Sequence, residues 1–219
     1  MNQVFMRLSL AAACAALMAG CAAPQKTTDY EAFRQAKPRS ILVLPPLNES
    51  PEVVAPYSVL SHATRPLAEA GYYVLPVALA DETFRHNGLT TAGDIHAVAP
   101  AKLREIFGAD AALYIDIKKY GTTYMILASS TVVSADAKLV DLKTGATLWS
   151  GTATASSDEN RNQGGGLIGM LVTAAIQQVV NTVTEAAHPV AGVATERLLT
   201  PGGAGGILYG PRSPKYGTQ

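Results

Sequence analysis

Short apolar runs alternate with amphipathic stretches along most of this chain. Ser40-Ile41-Leu42-Val43-Leu44-Pro45 is continuously apolar and stopped by Pro45-Pro46, the pattern of a strand buried on both faces. Tyr72 to Pro76 predicts a second buried strand. Between them a helix is predicted from Val53 or Pro56 to Ala70, with Val53, Tyr57, Leu60, Thr64 and Leu67 as its apolar stripe. Pro66 should kink or split it, and Gly71 is the expected stop. Further helices are predicted over Ala78 to His86 and Ala101 to Phe107. Thr90 to Val98 reads as a loop with one turn.

The second half changes period. Ala111 to Tyr120 alternates, with Leu113, Ile115 and Ile117 on one face and Tyr114, Asp116 and Lys118 on the other. Gly121-Thr122-Thr123 reads as a turn. Thr131 to Leu142 is a long strand with Val133, Ala135, Ala137 and Leu139 on one face. Lys143-Thr144-Gly145 turns it into a returning strand, Ala146 to Ala155, that carries Trp149. Ser156 to Gly166 is a polar, Gly-rich loop. The stripe Leu167, Ile168, Leu171, Val172, Ala175, Ile176, Val179, Val180 and Val183 predicts an amphipathic helix rather than a membrane span, because Gln177, Gln178 and Asn181 interrupt it. A last helix over His188 to Leu199 has Pro189 in its first turn. Thr200 to Gln219, rich in Gly, Pro and Tyr, predicts an irregular tail kept out of the core. Two strands alternating with helices, then three consecutive strands, give an α/β (α+β) domain: a mixed sheet with helices packed on it.

The first twenty residues stand apart. Arg7 is followed by the uncharged apolar run Leu8 to Met18, then Ala19-Gly20-Cys21, which has the form of a secretory signal and resembles a bacterial lipobox. Met18 departs from that pattern, where Leu, Val or Ile is usual. An ordinary cleaved signal with a chance cysteine is the alternative. The lipobox implies acylation of Cys21, with 21–39 as lipidated cysteine and tether, 40–199 as a single domain and 200–219 as the tail. Ala22, in place of Asp, points to the outer membrane. A multiply acylated cysteine is then the anchor.

Composition narrows the chemistry. Lys plus Arg and Asp plus Glu are 17 each, and loss of Arg7 with the signal leaves 16 against 17, so no nucleic-acid partner is expected. Cys14 leaves with the signal and Cys21 is consumed by lipid, which excludes a disulfide framework. His62, His86, His96 and His188 share no metal spacing, and no Gly-x-Ser-x-Gly elbow is present. Gly164-Gly165-Gly166 could open an anion-binding helix, but no Lys-Ser or Lys-Thr follows, and it reads as loop. No cofactor and no catalytic residue are expected. Candidate partner-binding residues are Pro46, Asn48 and Glu49, in the loop at a strand's carboxyl end, and Tyr209, Arg212 and Tyr216 in the tail, residue types common in interface cores.

Four segments together resemble a family of bacterial lipoproteins of unknown function: Ser40 to Asn48, Gly108 to Tyr114, Leu139 to Gly145 with Leu148-Trp149, and Leu208 to Arg212 with Tyr216. The resemblance implies a fold similar to the N-terminal domain of TolB. It also implies a companion lipoprotein similar to the curli secretion channel, and it supplies no catalytic residues. The function expected is a non-enzymatic accessory or assembly factor of a trans-envelope complex, with a homo-oligomer as a further possibility. A cell-wall synthase activator and a small-ligand-binding or hydrolytic domain are the alternatives.

Overall fold

A computed structural model describes residues 28–124, 129–159 and 186–218. The elements in chain order are α1 (Glu31–Ala36), β1 (Ser40–Val43), β2 (Leu47–Asn48), α2 (Ala55–Glu69), β3 (Tyr73–Val74), α3 (Val77–His86), α4 (Ala92–His96), α5 (Pro100–Phe107), β4 (Ala111–Tyr124), β5 (Ser129–Asp141), β6 (Thr147–Ser156) and α6 (Ala187–Leu199). The stripe over Leu167 to Val183 and the lipobox with Cys21 lie outside the described residues.

One mixed sheet runs β3-β1-β4-β5-β6, with β2 continuing the line of β1 alongside β4. The pairs β1–β3, β1–β4 and β2–β4 are parallel, while β4–β5 and β5–β6 are antiparallel. The parallel half and the antiparallel meander expected from the sequence are both present. Pro45-Pro46 explains why the line of chain alongside β4 is broken into β1 and β2, since proline cannot donate to the ladder.

Helices cover the sheet on both faces. On one face Ile41, Val43, Leu113, Ile115, Ile117, Val133 and Leu139 pack against α1, α2 and α6. On the other, Leu42, Leu44, Ala112, Tyr114 and Val140 pack against α3, α4 and α5 through Phe84, Ile95 and Leu103. Beyond that second core the antiparallel strands turn Ser134, Asp136, Thr152 and Thr154 outward. Thr152 Oγ1 donates to Asp136 Oδ1 and Thr154 Oγ1 to Ser134 Oγ across the β5–β6 pair. This is the one-sided amphipathicity of an antiparallel sheet.

Four local expectations are corrected. Helix α2 is continuous through Pro66, and its buried face is Ala55, Ser58, Val59, Ala63, Pro66 and Leu67, leaving Val53 and Tyr57 81% and 67% exposed. Small residues let α2 approach Ala187, Ala191 and Ala194 of α6 closely, and that packing overrides the larger stripe. Strand β3 is a short edge with Tyr73 exposed, not a buried strand. Gly121-Thr122-Thr123 lies inside β4. A bulge between Ile117 and Lys119 resets the alternation so that Tyr120 faces the core, and the ladder continues to Tyr124 opposite Ser129. Finally, the tail is not excluded from the core: Ile207 is fully buried.

Tail residues are held by backbone acceptors that side chains of the domain reach. Trp149 Nε1–H donates to the Gly205 carbonyl at 2.8 Å and Tyr72 O–H to the Leu208 carbonyl at 2.6 Å. Tyr30 O–H donates to the Gly206 carbonyl. Gly210 N–H then donates to Ala70 O at 2.8 Å, and Arg212 N–H to Gly71 O at 3.1 Å. Gly71 has φ +98°, and a Cβ there would collide with Ser213. A Cβ on Gly210 would lie 2.7 Å from Gly71 carbonyl atoms. The C-terminal end of α2 and the tail therefore meet backbone to backbone, which only glycine permits.

Candidate functional site

The loop after β1 is tied down from within. Asn48 accepts from Ser50 N–H at 3.0 Å and Ser50 O–H at 2.7 Å through Oδ1, while its Nδ2 donates to Glu52 O at 2.9 Å. That side chain shapes the turn as an Asx motif does. Pro46 is buried. Of the three residues proposed there, only Glu49 presents its side chain outward. It accepts from Lys118 Nζ at 2.6 Å, and Lys118 also donates to Asp116. The hydrogen bonds that Lys118 donates to Asp116 and Glu49 raise its pKa. One Asp116 oxygen is buried and has no hydrogen-bond partner among the described residues.

Beside this loop, the entry to α2 exposes Val53 (81%), Val54 (43%) and Tyr57 (67%). Glu52 lies against Gly121 of β4. The sequence stripe had placed Val53 and Tyr57 in the core. Pro56 in the first turn of α2 was the signal that Val53 and Val54 precede the helix rather than belong to it.

Two histidines far apart in sequence meet between α2 and α6. The rings of His62 and His188 stack at 4.4 Å, and Gly192 leaves room for the His62 ring. Ser58 Oγ lies 2.7 Å from His188 Nδ1. His62 Nε2 is buried and has no hydrogen-bond partner among the described residues. Burial, and then His188, push the His62 pKa down. A serine beside a histidine is half of a nucleophilic pair, but Ser58 is buried in the helix interface, so no substrate reaches it. Near the carboxyl end of β1, His96 Nε2 lies 2.9 Å from Pro45 O, and its ring meets Tyr114 edge-on. His86 pairs with Glu82 on α3. Among the described residues no group of three or more His, Cys, Asp or Glu could hold a metal ion, and no helix is long and apolar enough to cross a membrane.

Tyr209, Arg212 and Tyr216 are brought together at the opposite end of α2. Tyr209 and Tyr216 line a cleft of about 320 Å³ with Phe33, Arg34, Lys37 and Tyr72. Burial raises the Tyr72 pKa. Arg212 lies over the Tyr73 ring at 5.4 Å and Lys215 over the Tyr209 ring at 5.5 Å. The six residues proposed from the sequence are thus divided between the two ends of α2, about 22 Å apart at 1.5 Å per residue.

The model of the family described as Putative lipoprotein GNA1162-like matches residues 28–212. The chain is 52% identical over 184 residues to the Putative lipoprotein NMB1124/NMB1162 of Neisseria meningitidis serogroup B, covering 84% of this chain and 85% of that protein. The crystal structure of lipoprotein GNA1162 from Neisseria meningitidis is 54% identical, with a TM-score of 0.55. The match covers 66% of this chain and all of that one.

Proposed function

This chain belongs to the GNA1162-like family of putative lipoproteins, and from that premise we propose that it is an accessory or assembly factor of a trans-envelope complex that works by binding protein. Its anchor is an acylated Cys21 in the outer membrane, with Ala22 in the position where Asp retains lipoproteins in the inner membrane. The observation that carries the binding reading is the exposed cluster Val53, Val54 and Tyr57 beside Glu49. Large apolar side chains side by side in water, rimmed by a charge, are what a partner buries. The partner implied by the family resemblance is a companion lipoprotein similar to the curli secretion channel. No nucleophile, base or ligand set on the described surface supports a hydrolytic reading.

Capture of that companion by the tagged lipoprotein from detergent-solubilised membranes tests the reading. Val53→Asp with Tyr57→Ala should abolish capture while leaving the fold intact. Undiminished capture by this variant would remove the cluster from the interface.

A further inference from the structure

We propose that the end of the domain where α1, the start of β3 and the tail converge is a membrane-facing surface that seats anionic phospholipid headgroups. The inference rests on the reading of Cys21 as acylated. Seven residues, Cys21 to Thr27, join the lipid to the described domain, and fully extended they span about 25 Å at most. Thr28 packs against Gly205, and Tyr30, just before α1, donates to Gly206. The tether therefore leaves the domain beside the tail, and it is this end that the anchor holds near the bilayer.

The chemistry of that end suits a lipid surface. Lys37, Arg39, Arg212 and Lys215 are exposed or at its rim, and none forms an ion pair with a carboxylate among the described residues. Lys37 ends α1 in the left-handed conformation, φ 45°. The acids close by are engaged. Asp110 accepts from Arg39 N–H, Ser40 N–H and Ser40 O–H and lies 3.9 Å from Arg104, and Glu69 pairs with Arg65. Asp29 Oδ1 accepts from Glu31 N–H, and Glu31 Oε1 accepts from Gln35 Nε2 one turn along α1.

Tyrosines accompany the cations, with Arg212 over Tyr73 and Lys215 over Tyr209. Tyrosine and basic residues together are the composition of a membrane-interface belt. Two clefts open between them. The aromatic one, about 320 Å³, is rimmed by Arg34 and Lys37, and a more polar one of about 420 Å³ is rimmed by Arg39, Asp110 and Arg212. At the opposite end of the sheet Lys118 is neutralised by Asp116 and Glu49. Lys37, Arg39, Arg212 and Lys215 thus gather where the tether enters, whereas Lys119, which also has no ion pair among the described residues, stands farther along β4. Attraction to an anionic leaflet adds with each cation and decays within a Debye length, so contact requires the short tether and fails at high salt.

The test uses the full mature chain in two forms: acylated, and unacylated through Cys21→Ser. Sedimentation with phosphatidylcholine vesicles, with and without phosphatidylglycerol, is measured at low and high salt. The unacylated chain should prefer the phosphatidylglycerol vesicles by about ten- to hundredfold at low salt and lose that preference at high salt. Lys37→Gln/Arg212→Gln/Lys215→Gln should lose most of it at an unchanged melting temperature, whereas Lys119→Gln should retain it. Equal partitioning to both vesicle types, or equal loss in Lys119→Gln, overturns the proposal. Acyl mass on the wild-type chain is read separately, so a missing lipid sinks the anchor reading while the vesicle preference still decides this one.

Discussion

Trp149 of β6 donates its indole N–H to the carbonyl of Gly205 at 2.8 Å, fastening the C-terminal tail to the far edge strand of the sheet. Tyr30 and Tyr72 do the same for Gly206 and Leu208. With Ile207 fully buried among them, the tail closes the core rather than trailing from it.

Removing the chain after Leu199 should therefore unfold the domain or cost it at least about 4 kcal/mol. Truncating a buried isoleucine alone costs about 2–5 kcal/mol, and three stranded donors add about 1–3 kcal/mol each when left unsatisfied. Ile207→Ala isolates the first part. Chemical denaturation of both variants gives the comparison, and a truncated chain as stable as the intact one would refute the structural role.

Gly210→Ala should destabilise the domain by about 1–3 kcal/mol, since the added methyl meets the Gly71 carbonyl and the Tyr72 ring. Gly88→Ala has a positive φ but open space around it, so it should cost about 1 kcal/mol from backbone strain alone. Melting curves that rank the two the other way would mean the tail does not approach α2 as described.

Acid should loosen the contact between α2 and α6. The folded His62 pKa lies below its ordinary value of 6.5, first through burial and then through His188, with Glu196 acting in the opposite direction. Ser58 Oγ, 2.7 Å from His188 Nδ1, is a further polar neighbour of the pair, and Tyr120 of β4 reaches Ser58. Below 6.5 the unfolded chain binds a proton that the folded one resists. The stability tied to this group is thus fully present above about pH 6.5 and is lost as pH falls through the depressed folded value. Replacing His62 by Gln should flatten that part of a stability-versus-pH curve. An unchanged slope would assign the acid sensitivity elsewhere.

Much of the sheet was legible because its signals are local. Ile41 to Leu44 and the alternation of Leu113, Ile115 and Ile117 reflect burial that each strand meets directly, and Lys143-Thr144-Gly145 carries its own turn chemistry. The phase of α2 was not legible. Half of its buried face is Ala55, Ser58 and Ala63, small residues whose role depends on how closely α6 approaches. Nor was the tail, because its attachments are backbone carbonyls of Gly205, Gly206 and Leu208, and a carbonyl acceptor leaves no mark on the sequence. In the candidate loop the sequence marks Asn48 only as a contact-type residue; that its Oδ1 and Nδ2 hold the turn through Ser50 and Glu52 depends on the geometry of the loop.

Cys21→Ser should yield a precursor that the lipoprotein signal peptidase leaves uncut and that takes up no acyl label. The wild-type protein should fractionate with the outer membrane. Intact-mass measurement of both purified forms checks the acylation, and an acylated Ser variant would place the attachment at another residue.

The proposal that the α2 entry binds a protein is tested most directly inside cells, by placing a photo-crosslinking residue at position 57. Irradiation should give one discrete adduct with the companion lipoprotein, absent when the same residue replaces Thr152 on the open face of β6. No adduct from position 57, or the same adduct from both positions, would contradict the account.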